Sequence, residues 1–201
     1  MRIIAGDFRG RALAAVGKGD AGAHLRPTTD RVRESLFNVL MHTGAIPGAR
    51  VLDLFAGTGA LGLEALSRGA AEVLFVDDGR VSGGLIKKNI GICRSEDRCT
   101  LARRDAQKLG ANPDAPYDLI FLDPPYGKGL GEKALAAAVK GGWVADDALV
   151  VWEESTAMSA PEGFELQDSR KYGDTHITLM WHSKNSQPQI RRHAYHVDVA
   201  Q

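Results

Sequence analysis

The chain has 201 residues, of which 44% are hydrophobic and 25% are charged, and its formal net charge is zero. This length and composition are typical of one globular domain, and the zero net charge excludes a protein that attracts nucleic acid through its overall charge. The charge is unevenly distributed, because residues 1–33 carry a net charge of +4 and residues 34–183 a net charge of −6. The basic segment indicates either a contact with a polyanion or a solvated charged arm.

The cysteine content and the hydropathy pattern indicate the kind of environment in which the chain works. Cys93 and Cys99 are the only cysteines, so there is no disulfide framework and no Cys/His cluster with zinc spacing. Neither a signal peptide nor an apolar stretch long enough to cross a membrane is present in the sequence. We expect a soluble, cytoplasmic protein that uses no metal and contacts no membrane.

The amino-terminal residues predict a hairpin followed by a helix. Residues 3–5 and 11–14 flank Phe8-Arg9-Gly10, which is typical of a turn, and residues 17–23, rich in Gly and Ala, predict a mobile loop. Helix caps are available in Thr28-Thr29-Asp30, and apolar residues follow at helical spacing: Val32, Leu36, Val39 and Leu40. We expect residues 1–45 to form a basic amino-terminal hairpin and helix.

The rest of the chain alternates between short apolar strands and helices. The predicted strands are 51–55, 73–76, 100–103, 117–122 and 149–152, and the predicted helices are 60–67, about 80–90 and 131–140. Ser82-Gly83-Gly84 is expected to fray the start of the second of these helices. Such alternation predicts an α/β fold with a mostly parallel sheet. Residues 164–167 and 175–181, which have no helix between them, are expected to form an antiparallel hairpin at its edge. Residues 46–183 would be this domain and 184–201 a polar tail.

A glycine-rich turn follows the first predicted strand. Gly57, Gly59 and Gly62 form a G-x-G-x-x-G pattern, which lets a ligand approach the backbone at the carboxyl end of a strand. The pattern alone fits a dinucleotide or S-adenosylmethionine. Asp53 favours the second, because a carboxylate would oppose a pyrophosphate but suits the sulfonium and ammonium groups of S-adenosylmethionine.

Two further carboxylates follow the next predicted strands. Asp77, at the end of the second strand, is placed to accept hydrogen bonds from ribose hydroxyls, although such a residue also occurs in NAD sites. Asp105, after the third strand, is equally consistent with a contact to an adenine amino group and with a capping or surface carboxylate.

The fourth predicted strand ends in Asp123-Pro124-Pro125-Tyr126, the most specific signal in the chain. Two successive prolines force a rigid, extended exit from the strand, which would fix the Asp123 carboxylate and the Pro124 carbonyl at the carboxyl edge of the sheet. Both would accept hydrogen bonds from an exocyclic amino group and aim its lone pair at a methyl donor. Tyr126 would stack on the base, so Tyr126→Phe is expected to be mild.

With these two motifs in place, the chain resembles the bacterial 16S ribosomal RNA guanine-N2 methyltransferases, which are S-adenosylmethionine-dependent amino-methyltransferases. The resemblance covers about residues 1–183. It rests on Leu25-Arg26-Pro27-Thr28, on residues 30–38 (DRVRESLFN), on residues 51–70 (VLDLFAGTGALGLEALSRGA), on residues 121–126 (FLDPPY) and on Arg170-Lys171-Tyr172-Gly173.

The resemblance implies a Rossmann-like class I methyltransferase core, an amino-terminal hairpin that helps to hold RNA, and one modified guanine. It implies that the cofactor is S-adenosylmethionine and that the partner is ribosomal RNA, either free or in an assembling small ribosomal subunit. The implied cofactor-binding residues are Asp53, Ala56, Gly57, Gly59, Asp77, Asp105 and Ala106. The implied catalytic residues are Asp123, Pro124, Pro125 and Tyr126, and the candidate RNA-binding residues are Arg9, Arg11, Arg26 and Arg31.

Three other functions remain open at this point. A DNA adenine-N6 methyltransferase also uses Asp-Pro-Pro-Tyr, but it usually needs a separate region for reading DNA sequence. A dinucleotide-dependent oxidoreductase is disfavoured by Asp53 and by the two prolines. A non-catalytic RNA-binding module would be expected to have damaged motifs, and both motifs are intact here.

Overall fold

The computed structural model describes residues 1–16 and 29–183. The α-helices in these ranges are α1 (Asp30–Thr43), α2 (Ala60–Ser67), α3 (Arg80–Cys93) and α4 (Leu130–Lys140). The strands are β1 (Arg50–Leu54), β2 (Glu72–Val76), β3 (Cys99–Ala102), β4 (Tyr117–Leu122), β5 (Val144–Glu154), β6 (Phe164–Tyr172) and β7 (Thr175–His182). Single turns of 3-10 helix cover Glu96–Arg98 and Ala106–Lys108.

The seven strands form one sheet in the order β3-β2-β1-β4-β5-β7-β6. The first five strands pair in parallel, whereas β7 pairs antiparallel with both β5 and β6. This confirms the predicted mostly parallel sheet with an antiparallel hairpin at its edge. Strands β5 and β6 are longer than predicted. Strand β6 is mostly exposed and polar, so its residues after 167 lack the apolar pattern from which strands are recognised.

Helices cover both faces of the sheet. The core layer beneath α1, α2 and α3 includes Leu36, Leu63 and Ile86, while the layer beneath α4 includes Leu135. Strand β1 contributes to both layers in alternation, with Val51 in the first and Leu52 in the second, as expected for a strand buried on both faces. The carboxyl ends of the parallel strands are left for the loops.

The start of α1 agrees with the prediction, but the start of α3 does not. Thr29 caps α1, and its Oγ1 accepts a hydrogen bond from the Val32 amide at 3.3 Å. The expectation that Ser82-Gly83-Gly84 frays the next helix is wrong, because α3 begins at Arg80 and continues to Cys93. Ser82 and Gly83 are buried, so packing against the sheet outweighs the low helix propensity of glycine.

The amino-terminal arm, residues 1–16, is a hairpin-like turn anchored on α2. An antiparallel bridge joins Arg2 to Ala12, and the Gly10 amide donates to the Ile3 carbonyl at 2.8 Å. Glu64 in α2 accepts hydrogen bonds from the backbone amides of residues 4 and 5 at 2.9 and 3.1 Å. The expected hairpin is therefore confirmed as a single bridge that docks on the core.

Three of the predicted features lie outside the described residues. They are the loop at residues 17–23, the tail at residues 184–201, and the Leu25-Arg26-Pro27-Thr28 segment, which includes the candidate RNA-binding residue Arg26.

Candidate active site

The carboxyl ends of β2, β1 and β4 bring the predicted motifs to one edge of the sheet. Strand β1 lies between β2 and β4 in the sheet. The glycine-rich turn leaves β1, Asp77 follows β2, and Asp123 follows β4. The Asp123 amide donates to the Leu54 carbonyl at 3.4 Å, and the Ala56 amide donates to the Val76 carbonyl at 3.2 Å. These bonds tie the three exits together, at the position where ligands bind in open α/β sheets.

Asp53 is a buried carboxylate behind the glycine-rich turn. Its Oδ2 accepts a hydrogen bond from the Gly62 amide at 3.0 Å, and the residue is 1% exposed. The pKa of Asp53 is raised to about 8, mainly by burial; the Gly62 hydrogen bond lowers it and the negative charge of Asp77 raises it. A cationic ligand group would supply the countercharge that this carboxylate needs.

Glycine is favoured at the three positions of the turn for different structural reasons. Gly57 and Gly59 have φ of 59° and 77°, in the left-handed region that favours glycine. Gly62 has no such φ, but a Cβ there would lie 2.5 Å from the ring of Phe75. The third glycine therefore lets α2 approach β2 closely, and the first two shape the turn.

Asp77 connects two loops by hydrogen bonds, apart from the contact with ribose that the sequence predicts for it. Its Oδ2 accepts from the Gly57 amide at 2.9 Å and its Oδ1 from the Gly79 amide at 2.8 Å. Each carboxylate oxygen has a second lone pair, so a ribose hydroxyl can still bind. The ribose contact remains a prediction, and the link to the glycine-rich turn is an additional finding.

For Asp105, the structure shows the capping role that the sequence left open. Its Oδ1 accepts from the amide of Gln107 at 2.9 Å, at the start of a 3-10 turn. Ala106, the neighbouring candidate, is buried at 3% exposure. The proposed contact of these two residues with adenine remains a prediction.

The Asp123–Tyr126 segment leaves the sheet beside several carboxylates. Asp123 is half-buried, Pro124 is buried and Pro125 is exposed. Burial raises the pKa of Asp123 well above its usual value, and the negative charges of Glu153, Asp53 and Glu154 raise it further. Asp123 is therefore a stronger proton acceptor than an ordinary surface carboxylate.

Two glutamates at the end of β5 are site residues that the sequence reasoning missed. The Tyr126 hydroxyl donates to Glu153 Oε1 at 2.6 Å and lies 3.1 Å from Thr175 Oγ1. The Gly127 amide donates to Glu154 Oε1 at 3.1 Å. A pair of carboxylates directly after the apolar residues 148–152 was the signal that could have revealed them. The expectation that Tyr126→Phe has a mild effect considered only stacking of the ring, and it did not include these contacts of the hydroxyl.

The candidate RNA-binding arginines occupy different environments. Arg9 and Arg31 are exposed, whereas Arg11 donates to the carbonyls of Ile92, at 3.1 Å, and Cys93 at the end of α3. The guanidinium of Arg11 also lies 4.9 Å from the ring centroid of Phe8. Arg11 therefore holds the arm to α3, and Arg9 is the freer of the two for an external partner.

The tip of the arm lies at the edge of the sheet opposite to Asp123. Helices α2 and α3 begin near the carboxyl edge and run back along the strands, so Ser67 and Cys93 at their ends lie near the amino edge. The Phe8 amide donates to Ser67 Oγ at 2.9 Å. The structure does not bring Arg9 and Arg11 together with the catalytic candidates.

The described residues hold neither a metal-binding cluster nor a membrane-spanning helix. Within residues 1–16 and 29–183, no group of three or more His, Cys, Asp or Glu residues is arranged to hold a metal ion. No helix in the same ranges is long and apolar enough to cross a membrane.

Comparisons with known proteins place the chain among methyltransferases. Residues 1–181 match the family described as conserved hypothetical protein 95. The ribosomal RNA small subunit methyltransferase D of Escherichia coli K12 is 38% identical over 161 residues, which are 80% of this chain and 78% of that protein. The protein of the same name from Haemophilus influenzae is 36% identical over 178 residues, 86% of this chain and 89% of the relative.

Solved structures agree with these matches. A candidate methyltransferase from Escherichia coli superposes with a TM-score of 0.79 at 36% identity, covering 92% of this chain and 99% of that one. A candidate methylase from Haemophilus influenzae gives 0.73 at 30% identity, covering 91% and 98%. The sheet order and these neighbours confirm the expected Rossmann-like class I methyltransferase fold.

Proposed function

The chain belongs to the conserved hypothetical protein 95 family and is a ribosomal RNA methyltransferase, and from this premise we propose that its target is the exocyclic N2 amino group of a guanine in 16S ribosomal RNA. The methyl donor is S-adenosylmethionine, as the family and the fold imply. The observation that carries the proposal is the position of Asp123-Pro124-Pro125-Tyr126 beside the Gly57–Gly59 turn, at one edge of the sheet.

The proposed cofactor site uses the ends of β1 and β2. Gly57 and Gly59 let the backbone approach the methionine part of the cofactor, with Asp53 behind them as the counterion of its ammonium group. Asp77 accepts from the ribose, and Asp105 with Ala106 borders the adenine. The cofactor supplies an electrophilic methyl group bonded to a positively charged sulfur.

The proposed substrate site uses the exit of β4. The exocyclic amino group donates hydrogen bonds to Asp123 and to the Pro124 carbonyl, which hold the nitrogen as it becomes pyramidal. Tyr126 stacks on the base, which must leave its own stack to reach a buried edge. Catalysis then comes mainly from orientation and from a preorganised charge distribution.

The space available after Tyr126 favours RNA over DNA as the substrate. Residues from 127 to 183 form α4, β5, β6 and β7 with short connections, so this part of the chain leaves no room for a region that reads a DNA sequence in the major groove. The exposed Arg9 at the arm tip and Arg31 at the start of α1 are proposed contacts to RNA phosphates.

The test is methylation of ribosomal RNA from a strain lacking the gene. Purified protein and isotopically labelled S-adenosylmethionine are incubated with free 16S RNA and, separately, with small ribosomal particles, and the modified nucleoside is identified by mass spectrometry. We expect N2-methylguanosine at one position, absent with Asp123→Ala. Methyl groups on DNA adenine with none on RNA would replace this proposal by the DNA alternative, and binding of NAD in place of S-adenosylmethionine would exclude both.

A further inference from the structure

Two consecutive carboxylates at the end of β5 hold the loop that carries Asp123. Glu153 accepts from the Tyr126 hydroxyl at 2.6 Å, and Glu154 accepts from the Gly127 amide at 3.1 Å. Both glutamates are buried, at 6% exposure. Because successive side chains of a strand point to opposite faces, the loop is held from both sides of the sheet.

The register of the sheet sets Glu153 directly beside Asp123. Leu122 of β4 pairs with Trp152 of β5, so the next residues, Asp123 and Glu153, leave adjacent parallel strands that are about 4.8 Å apart. Two residues earlier, Phe121 and Val151 both belong to the core layer beneath α1, α2 and α3. By alternation, Asp123 and Glu153 lie on that same face.

Within residues 1–16 and 29–183, the neighbouring groups that raise the pKa of Asp123 are all carboxyl groups. Asp53 approaches it from β1, and Glu153 and Glu154 approach it from β5, and all three raise the pKa of Asp123 in addition to burial. Tyr126 faces it from its own loop, and its hydroxyl is committed to Glu153. On β7, His176 pairs with Glu154 in the register.

We propose that Glu153 is a positioning residue for methyl transfer, which fixes the ring of Tyr126 by its hydroxyl and presents a second negative charge to Asp123. Thr175, at the start of β7, assists by its contact with the same hydroxyl at 3.1 Å. The inference rests on the proposed function, because it gives Glu153 a part in the reaction at that site.

The role follows from the balance of the transfer step. The amino nitrogen attacks the methyl carbon, the carbon–sulfur bond breaks with its electron pair remaining on sulfur, and the methylated nitrogen loses one proton to Asp123. A neighbouring carboxylate makes Asp123 bind that proton more strongly. A tyrosine ring held at its far end keeps the stacked base from turning while the bond forms.

Three variants separate the two parts of this role. Glu153→Gln keeps an oxygen that can accept from Tyr126 but removes the charge, and Tyr126→Phe keeps the charge but removes the hydrogen bond. Glu165→Gln, on the exposed strand β6, is the matched control that removes one carboxylate away from the site. For each variant, kcat and KM are measured across pH, and Asp123 is titrated by carbon-13 NMR.

With Glu153→Gln, we expect the acidic limb of kcat/KM and the NMR titration of Asp123 to move to lower pH. With Tyr126→Phe, we expect KM for the RNA to rise about threefold to tenfold, the worth of one hydrogen bond, with the limb unmoved. Glu165→Gln should change neither.

An unchanged limb in Glu153→Gln together with a wild-type KM in Tyr126→Phe would overturn the inference. A fall in kcat and thermal stability at every pH, without a shift of the limb, would also overturn it, since that outcome describes a purely structural residue. The NMR titration needs no activity. If the wild-type protein methylates no ribosomal RNA, the proposed function fails while the titration still decides whether Glu153 acts on Asp123.

Discussion

The buried carboxylate of Asp53 predicts that the affinity for S-adenosylmethionine rises with pH. The pKa of Asp53 in the free protein is about 8, so about nine-tenths of the molecules carry a proton there at pH 7. The cofactor ammonium needs the ionised carboxylate, and binding must therefore release that proton. The expected affinity rises about ninefold between pH 6 and pH 7, a range in which an α-amino group stays charged.

Isothermal titration in two buffers with different ionisation enthalpies measures both the affinity and the protons released. We expect about 0.9 proton per cofactor at pH 7. Asp53→Asn should bind more weakly, with an affinity that does not change over the same range. An affinity that is constant with pH, with no proton released by the wild-type protein, would refute the assignment of Asp53 to the ammonium group.

Ionisation of Asp53, which favours cofactor binding, lowers the stability of the cofactor-free fold. The folded-state pKa of Asp53, about 8, lies above the unfolded value of about 3.9, so the folded state holds the proton more tightly. Stability from this group is complete below about pH 4 and is lost as the pH rises toward 8. The melting temperature of the wild-type protein should therefore fall relative to Asp53→Asn across this window, and saturating cofactor should reduce the difference.

Three further predictions concern the catalytic aspartate, the arm and the ion pairs. Asp123→Ala should abolish methyl transfer in single-turnover assays while cofactor binding by calorimetry stays nearly intact; near-normal turnover would exclude the amino-group mechanism. Arg9→Ala should weaken RNA binding and reduce the slope of log affinity against log salt concentration by about 1, with no change in melting temperature. Arg11→Ala should also lower the melting temperature, because it loses its contacts with α3. An RNA affinity of Arg9→Ala that equals the wild-type affinity across a salt series would exclude Arg9 from the interface. Glu64→Gln should cost about 3–5 kcal/mol in urea unfolding because it breaks the buried ion pairs of Glu64 with Arg33 and Arg68. Glu72→Gln, which removes the partly exposed partner of Arg50, should cost at most about 1 kcal/mol. Equal losses would contradict this reasoning.

The features that sequence reasoning predicted well are those with a local physical cause. A glycine at positive φ and a proline pair after a strand each restrict the backbone within a few residues, so the turn at Gly57–Gly59 and the exit at Asp123 could be placed before the fold was known. The cap of α1 at Thr29 is of the same kind. Each depends on neighbours in the chain.

The contacts that were missed depend on register between distant segments. Tyr126 and Glu153 are 27 residues apart, and they meet because β4 and β5 pair so that Leu122 lies beside Trp152. Nothing within either segment specifies that offset. The continuity of α3 through Gly83 has a similar cause, since the apolar surface beneath the helix belongs to other elements.

A buried ion pair connects the two long sequence blocks on which the resemblance rests. Arg33, in the first block, and Glu64, in the second, are both fully buried and lie 3.7 Å apart. Arg33 also donates to the Arg2 carbonyl, and Glu64 accepts from the amides of residues 4 and 5. Glu64 also pairs with Arg68 at 2.8 Å, and Arg33 pairs with the partly exposed Asp30 at 3.0 Å. Because a buried charge that loses its partners is strongly destabilising, these ion pairs hold the two blocks and the arm together. Neither Arg33 nor Glu64 touches the proposed reaction. The two long blocks therefore contribute to docking the amino-terminal arm onto the methyltransferase core, and the second block also contains the Gly57–Gly59 turn of the proposed cofactor site.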